Sequence, residues 1–138
     1  MLYLYLSLTA CLLLLCVAGS AQEEAEFQKF QERMETISQT VGSLALNLQV
    51  QAGEAATSEA KKLQKIFDQV YTFFQKKNVS TAMKFARDTQ SGFQEVAQLA
   101  STGKLVEALA KFHATRANCT DCHKAHRENV EGNWKMKY

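Results

Sequence analysis

The sequence predicts an all-α protein, an antiparallel up-down-up-down four-helix bundle, and three observations carry that prediction. The 138 residues include no proline and only six glycines, and proline is the residue that breaks helix interiors. Apolar residues recur at helical spacing along most of the chain, with no strand-like alternation, sequence repeat or low-complexity tract. The interruptions between helical stretches are short, and short loops make consecutive helices antiparallel neighbours.

Residues 1–21, "MLYLYLSLTACLLLLCVAGSA", carry no charged side chain and stop abruptly at "QEEAEFQ". This reads as an export signal with a small-residue cleavage region, Ala18-Gly19-Ser20-Ala21, leaving residues 22–138 as the mature domain. An uncleaved anchor is a second reading, since about 17 apolar residues is the lower limit for a membrane span. A third is a lipoprotein box, which "LTAC" ending in Cys11 faintly resembles. Removal of the segment takes Cys11 and Cys16 with it, so only Cys119 and Cys122 stay, too few for a disulfide scaffold.

In the first helix the stripe is Phe27, Phe30, Met34, Ile37, Val41, Leu44 and Leu48, a seam sustained over about three heptads. Gly53 breaks it, and Thr57 or Ser58 can cap the second helix. That helix carries Leu63, Ile66/Phe67, Val70 and Phe73/Phe74, and Lys76 and Lys77 suit its C-terminus. Asn78 or Ser80 can cap a third helix with Val79, Met83, Ala86, Gln90, Phe93, Ala97 and Ala100. After Ser101-Thr102-Gly103 a fourth helix is expected from Lys104 to about Val130, with Leu105, Leu109, Phe112 and Arg116 on its stripe and Gly132 as C-cap. A bundle with no cofactor accounts for every stripe. It does not account for Cys119-Thr120-Asp121-Cys122-His123.

A structural zinc site usually needs four protein ligands, often from two such pairs; here there is one pair, and His123 projects about 100° around the helix from Cys122. A thioredoxin-like redox pair sits at a helix N-terminus after a strand, whereas this pair lies deep in an expected helix. Covalent haem attachment suits each feature: two thiols on successive turns reach the two vinyl groups along one haem edge, and the adjacent imidazole faces the iron. Attachment of this type is completed outside the cytoplasm, in agreement with export to the periplasm.

With C-x-x-C-H on the last helix of a four-helix bundle, followed by His126 and Arg127 where an aromatic and a basic residue are usual, the mature chain resembles the class II cytochromes c (the cytochrome c prime family). "ASTGKLVEALAKF" and "RMET" are also similar to the soluble b-type four-helix cytochrome of bacterial periplasms. The resemblance implies one covalent haem c near one end of the bundle, attached through Cys119 and Cys122, with His123 as an axial iron ligand. It implies a sixth ligand in some relatives, a Met on the first helix, and an open apolar iron face in others.

Met34 is the candidate for that position. On an ideal helix it lies about 16 Å from the start of the first helix and His123 about 10 Å from the expected end of the fourth, hence at similar height in an antiparallel bundle. The blander reading of Met34 is core packing. Met83 starts about 6 Å up the third helix and is not excluded by height; Met136 lies beyond the expected fourth helix. Phe27, Phe30, Tyr71, Phe73, Phe74 and Phe85 fall towards the same end, and Phe30, Phe85 and Arg127 are candidate haem contacts. His113 and His126 are expected to face solvent. Lys124, Arg127, Lys135 and Lys137 read as solvated charge that could also dock an acidic partner or pair with a propionate. Asn78-Val-Ser and Asn118-Cys-Thr match the glycosylation pattern but read as cap and haem-motif residues.

The expected function is one-electron transfer with redox partner proteins and no catalysis; the alternative is a five-coordinate haem protein that binds or buffers small gases. A net charge of +2 gives no ground for nucleic-acid binding. Membrane association follows only if the N-terminal segment is retained, and a homodimer through an outer helix face is compatible with the sequence.

Overall fold

A computed structural model describes the backbone of residues 2–137 and the side chains of residues 22–137; the expected export signal, residues 1–21, lies outside the described side chains. The elements in order are α1 (Leu2–Gln49), α2 (Gly53–Lys76), α3 (Ser80–Ser101), α4 (Leu105–His126), β1 (Arg127–Val130) and β2 (Asn133–Met136). The architecture is the all-α, antiparallel up-down-up-down four-helix bundle that the sequence predicts. Among residues 22–137 no helical stretch is long and apolar enough to cross a membrane.

The chain divides into two compact units, Met1–Glu35 and Thr36–Tyr138. In the first, α1 buries Phe30 and half-buries Phe27 and Met34. In the second, the same helix buries Ile37, Thr40, Leu44 and Leu48 and half-buries Val41. The core of this unit continues through Leu63, Phe67, Val70 and Phe74 of α2, Phe93 and Val96 of α3 and Phe112 of α4. Phe67 and Phe93 meet with ring centroids 5.7 Å apart across α2 and α3. Each such side chain contributes about 1.5–3 kcal/mol by leaving water, which is why the apolar spacing determines the fold.

All three interhelix connections use one device. The amide of Ala52 bonds the carbonyl of Asn47 (2.8 Å), that of Val79 bonds Phe74 (3.1 Å), and that of Lys104 bonds Leu99 (2.9 Å). The amides of Gln51, Asn78 and Gly103 bond Leu48, Gln75 and Ala100. These are Schellman closures, which need a left-handed residue just past the helix. Gln51 (φ 58°), Asn78 (φ 56°) and Gly103 (φ 75°) occupy it. Glycine suits that conformation, asparagine tolerates it, and glutamine pays a steric cost. Gln51→Gly is therefore expected to stabilise the fold by about 0.5–1 kcal/mol after allowing for greater unfolded-chain entropy. The denaturation midpoint should rise; a fall would show that Gln51 is not strained.

Cross-helix contacts set an antiparallel register. Gly92 of α3 faces Thr115 of α4, Thr89 faces Cys119, and the Thr81 hydroxyl lies 2.9 Å from Nε2 of His126. Interpolating along these pairs, Phe85 and Ala86 are level with Cys122 and His123. The ring of Phe74, near the end of α2, lies 6.2 Å from that of His126.

Several local expectations are corrected. Helix α4 ends at His126, not near Val130, and an antiparallel hairpin follows, with Arg127 opposite Met136 and Val130 opposite Asn133. Glu131 (φ 53°) and Gly132 (φ 83°) form its two-residue turn; both residues being left-handed is the geometry that matches strand twist. Gly132 is thus a turn residue and not a helix cap, and its amide bonds Oδ1 of Asn129 at 2.8 Å. Thr57 lies inside α2 and donates back to the carbonyl of Gly53 at 2.7 Å. Ala52 and Val79 hold the N-cap positions of α2 and α3, without a side-chain cap.

Candidate functional site

Cys119, Cys122 and His123 sit on the last two turns of α4, in uninterrupted helix. Both cysteines are free thiols and half-buried, whereas His123 is exposed. A separation of three residues puts the thiols about 4.5 Å apart along the axis and about 60° apart around it, so both address one face. His123 follows about 100° further on.

The neighbours of each group decide its proton. Burial pushes the Cys119 thiol up, with Arg116, its own backbone and the Thr89 hydroxyl pulling partly back. Burial, then the Cys119 sulfur, pushes Cys122 up to about 11. Both are protonated at neutral pH, opposite to the depressed thiol that a thioredoxin-like nucleophile requires. Partial burial and the Arg127 guanidinium lower His123. Its imidazole is therefore neutral near pH 7, the state in which histidine offers a lone pair to a metal.

His126 is not a solvent-facing residue. It is 9% exposed, with Nε2 against Thr81 Oγ1 at 2.9 Å and Nδ1 donating to the carbonyl of Lys137 at 3.2 Å. The amide of Lys137 returns a bond to the carbonyl of His126 at 3.0 Å. The ring thus fastens the hairpin to the start of α3 and has both nitrogens occupied, so it is not placed to join the cysteines as a zinc ligand. Among the described residues no group of three or more His, Cys, Asp or Glu side chains is gathered as a metal site.

The donor set suits haem c: two reduced thiols on one face, a neutral exposed imidazole beside them, and aromatic residues at the same level. Half-buried Phe85 is level with Cys122, and buried Phe73 and Phe74 end α2. Tyr71 is half-buried, with the Arg87 guanidinium 4.0 Å from the centre of its ring. Arg127 belongs to β1 and stacks 3.8 Å above the Trp134 ring. Lys124 lies 3.6 Å from Asp121, and Lys135 stands opposite Glu128 in the hairpin, so the expected basic surface is interleaved with acid. Met34 and Phe30 belong to the first unit and the cysteines to the second. Met83, the other candidate, is half-buried on α3.

Sequence reasoning missed Thr89. It is 1% exposed and lies against Cys119, while the sequence stripe ran through Gln90. The spacing of Ala82, Ala86, Thr89 and Phe93 fits a helical stripe equally well and could have found it. No family model, no characterised protein and no solved structure matches the chain.

Proposed function

We propose that this protein is a periplasmic mono-haem c-type cytochrome, similar to the class II cytochromes c, that carries single electrons between redox partner proteins. The observation that carries the reading is the free Cys119 and Cys122 pair on one face of α4 with a neutral imidazole at His123 next to it. Haem c, when bound, supplies the one-electron couple. The chain's own residues tether, ligate and shelter it. Cys119 and Cys122 would hold it through thioethers, and His123 would offer an imidazole nitrogen to its iron. Phe73, Phe74 and Phe85 keep water from that end of the bundle; a dry pocket sets the potential.

Met34 is proposed as the sixth ligand: it is half-buried, one turn after the buried Phe30 on the inward stripe of α1. Met34→Ala should convert a sharp, split low-spin visible spectrum of the reduced protein into a broad high-spin one that shifts readily with carbon monoxide. The near-infrared sulfur–iron band of the oxidised protein should vanish with it. An unchanged spectrum in the variant removes Met34 from the iron. A parent protein that is already high-spin and sensitive to carbon monoxide supports the gas-binding reading instead.

A further inference from the structure

Helix α4 ends unlike the other three: Arg127 is extended (φ −129°, ψ 134°), and the chain passes straight into β1. The last hydrogen bond of the helix runs from the Arg127 amide to the carbonyl of His123, so the proposed axial ligand stands on the final turn. Helix ends fray unless their open groups find partners. The residue that finds them here is His126, which is buried at 9% exposure. Its Nδ1 donates to the Lys137 carbonyl at 3.2 Å, which leaves Nε2 to accept from the Thr81 hydroxyl at 2.9 Å. Its own carbonyl accepts from the Lys137 amide at 3.0 Å, and its ring centre lies 6.2 Å from that of Phe74. One residue thus ties the final turn of α4 to the start of α3 and to the far end of the hairpin. The hairpin needs that tie. From Arg127 to Met136 every residue is exposed except the half-buried Val130 and Met136, and a lone two-stranded hairpin is marginal at best.

We infer that His126 is a positioning residue for His123: the clasp of Thr81, His126 and Lys137 keeps the final turn of α4 wound and so holds the His123 imidazole in one orientation. The inference rests on the haem c reading above. Thioethers at Cys119 and Cys122 would hold the backbone only as far as Cys122. Residues 123–126 lie past them, and His123 is itself exposed, so its direction is set by the turn it stands on. That turn is held from outside α4, by a hydroxyl 45 positions earlier in the chain and by a backbone carbonyl and amide eleven positions later. A hydrogen bond of ordinary strength changes an opening equilibrium about fivefold. Removing the Thr81 hydroxyl therefore loosens the final turn without altering any residue of α4.

The test compares full-length parent, Thr81→Val, Thr81→Ser and His126→Phe proteins expressed with a cytochrome c maturation system, each checked for unchanged helical circular dichroism. Hydrogen exchange read by nuclear magnetic resonance follows the Arg127 and Lys137 amides. Electron paramagnetic resonance of the oxidised protein follows the orientation of the axial imidazole. The parent is expected to show a single species. In Thr81→Val both amides should exchange about fivefold faster, and the signal should broaden or split as a second imidazole orientation becomes populated. Thr81→Ser keeps the hydroxyl and should restore both readouts to the parental values. His126→Phe keeps a ring but loses both ring hydrogen bonds, so its changes should exceed those of Thr81→Val. Parental exchange in Thr81→Val, or equal changes in the Val and Ser variants, overturns the inference while leaving the haem reading intact. Faster exchange with a parental resonance signal in both Thr81→Val and His126→Phe also overturns it, because His126 then holds only the hairpin. A parent protein that takes up no haem overturns the inference and the haem reading together.

Discussion

Changing Cys119 and Cys122 together to serine is expected to abolish covalent haem while leaving the helical bundle folded. The expectation follows from where the two side chains sit. Both are half-buried on α4, outside the set of fully buried side chains led by Phe74, Phe93, Phe112 and Leu44. Losing two sulfurs therefore removes little apolar burial, and the helical circular dichroism should be unchanged. The haem stain that survives denaturing electrophoresis should fall from full to background. Single variants should keep one thioether each, and His123→Ala should keep both thioethers while losing the axial imidazole. A double variant that still carries denaturation-resistant haem would mean that attachment runs through other residues.

The second large effect is at Gly92. A Cβ built there would lie 2.6 Å from Cγ2 of Thr115 and closer still to its hydroxyl. Thr115 cannot easily turn away: it is 3% exposed and its hydroxyl donates to the carbonyl of Lys111 at 2.8 Å. Replacing a helical glycine by alanine gains about 1 kcal/mol of propensity. Overpacking a close helix crossing costs about 1–3 kcal/mol, and here the clash wins because the two backbones must separate. Gly92→Ala should therefore destabilise by up to about 2 kcal/mol, and Gly92→Val by more. The double variant Gly92→Ala/Thr115→Ala removes the clashing atoms and should recover most of the loss, a non-additivity readable by urea denaturation. Additive losses would show that this crossing is not the point of closest approach. Because Thr89 and Cys119 lie one turn beyond, separating α3 from α4 should also disturb the site.

Much of this fold is legible in the sequence because burial follows the stripes. Leu44, Leu48, Leu63, Phe67, Phe93 and Phe112 are all core residues, and each stands at its expected place in a period of three or four. The attachment motif is legible for a different reason: its chemistry is local, and three residue types at fixed spacing state it. What stays hidden is whatever a distant residue decides. His126 is a polar residue near a helix end and looks solvated, yet Thr81, 45 positions earlier, and the returning Lys137 carbonyl enclose it. Thr89 and Gln90 are equally good stripe positions until Cys119 on another helix selects one. The hairpin escaped because four-residue strands are too short to show alternation, and its turn is Glu-Gly instead of the more familiar Asn-Gly. The capping residues escaped because the closures are made by backbone groups and the N-caps, Ala52 and Val79, have no side-chain cap to read.

The most direct test of the central claim is the mass and visible spectrum of the purified full chain after expression with a cytochrome c maturation system. The account predicts that one haem stays with the chain after denaturation, that Cys119 and Cys122 are both closed to alkylation, and that the reduced protein shows sharp split low-spin bands. A colourless chain of haem-free mass, with both thiols open to alkylation, would contradict it.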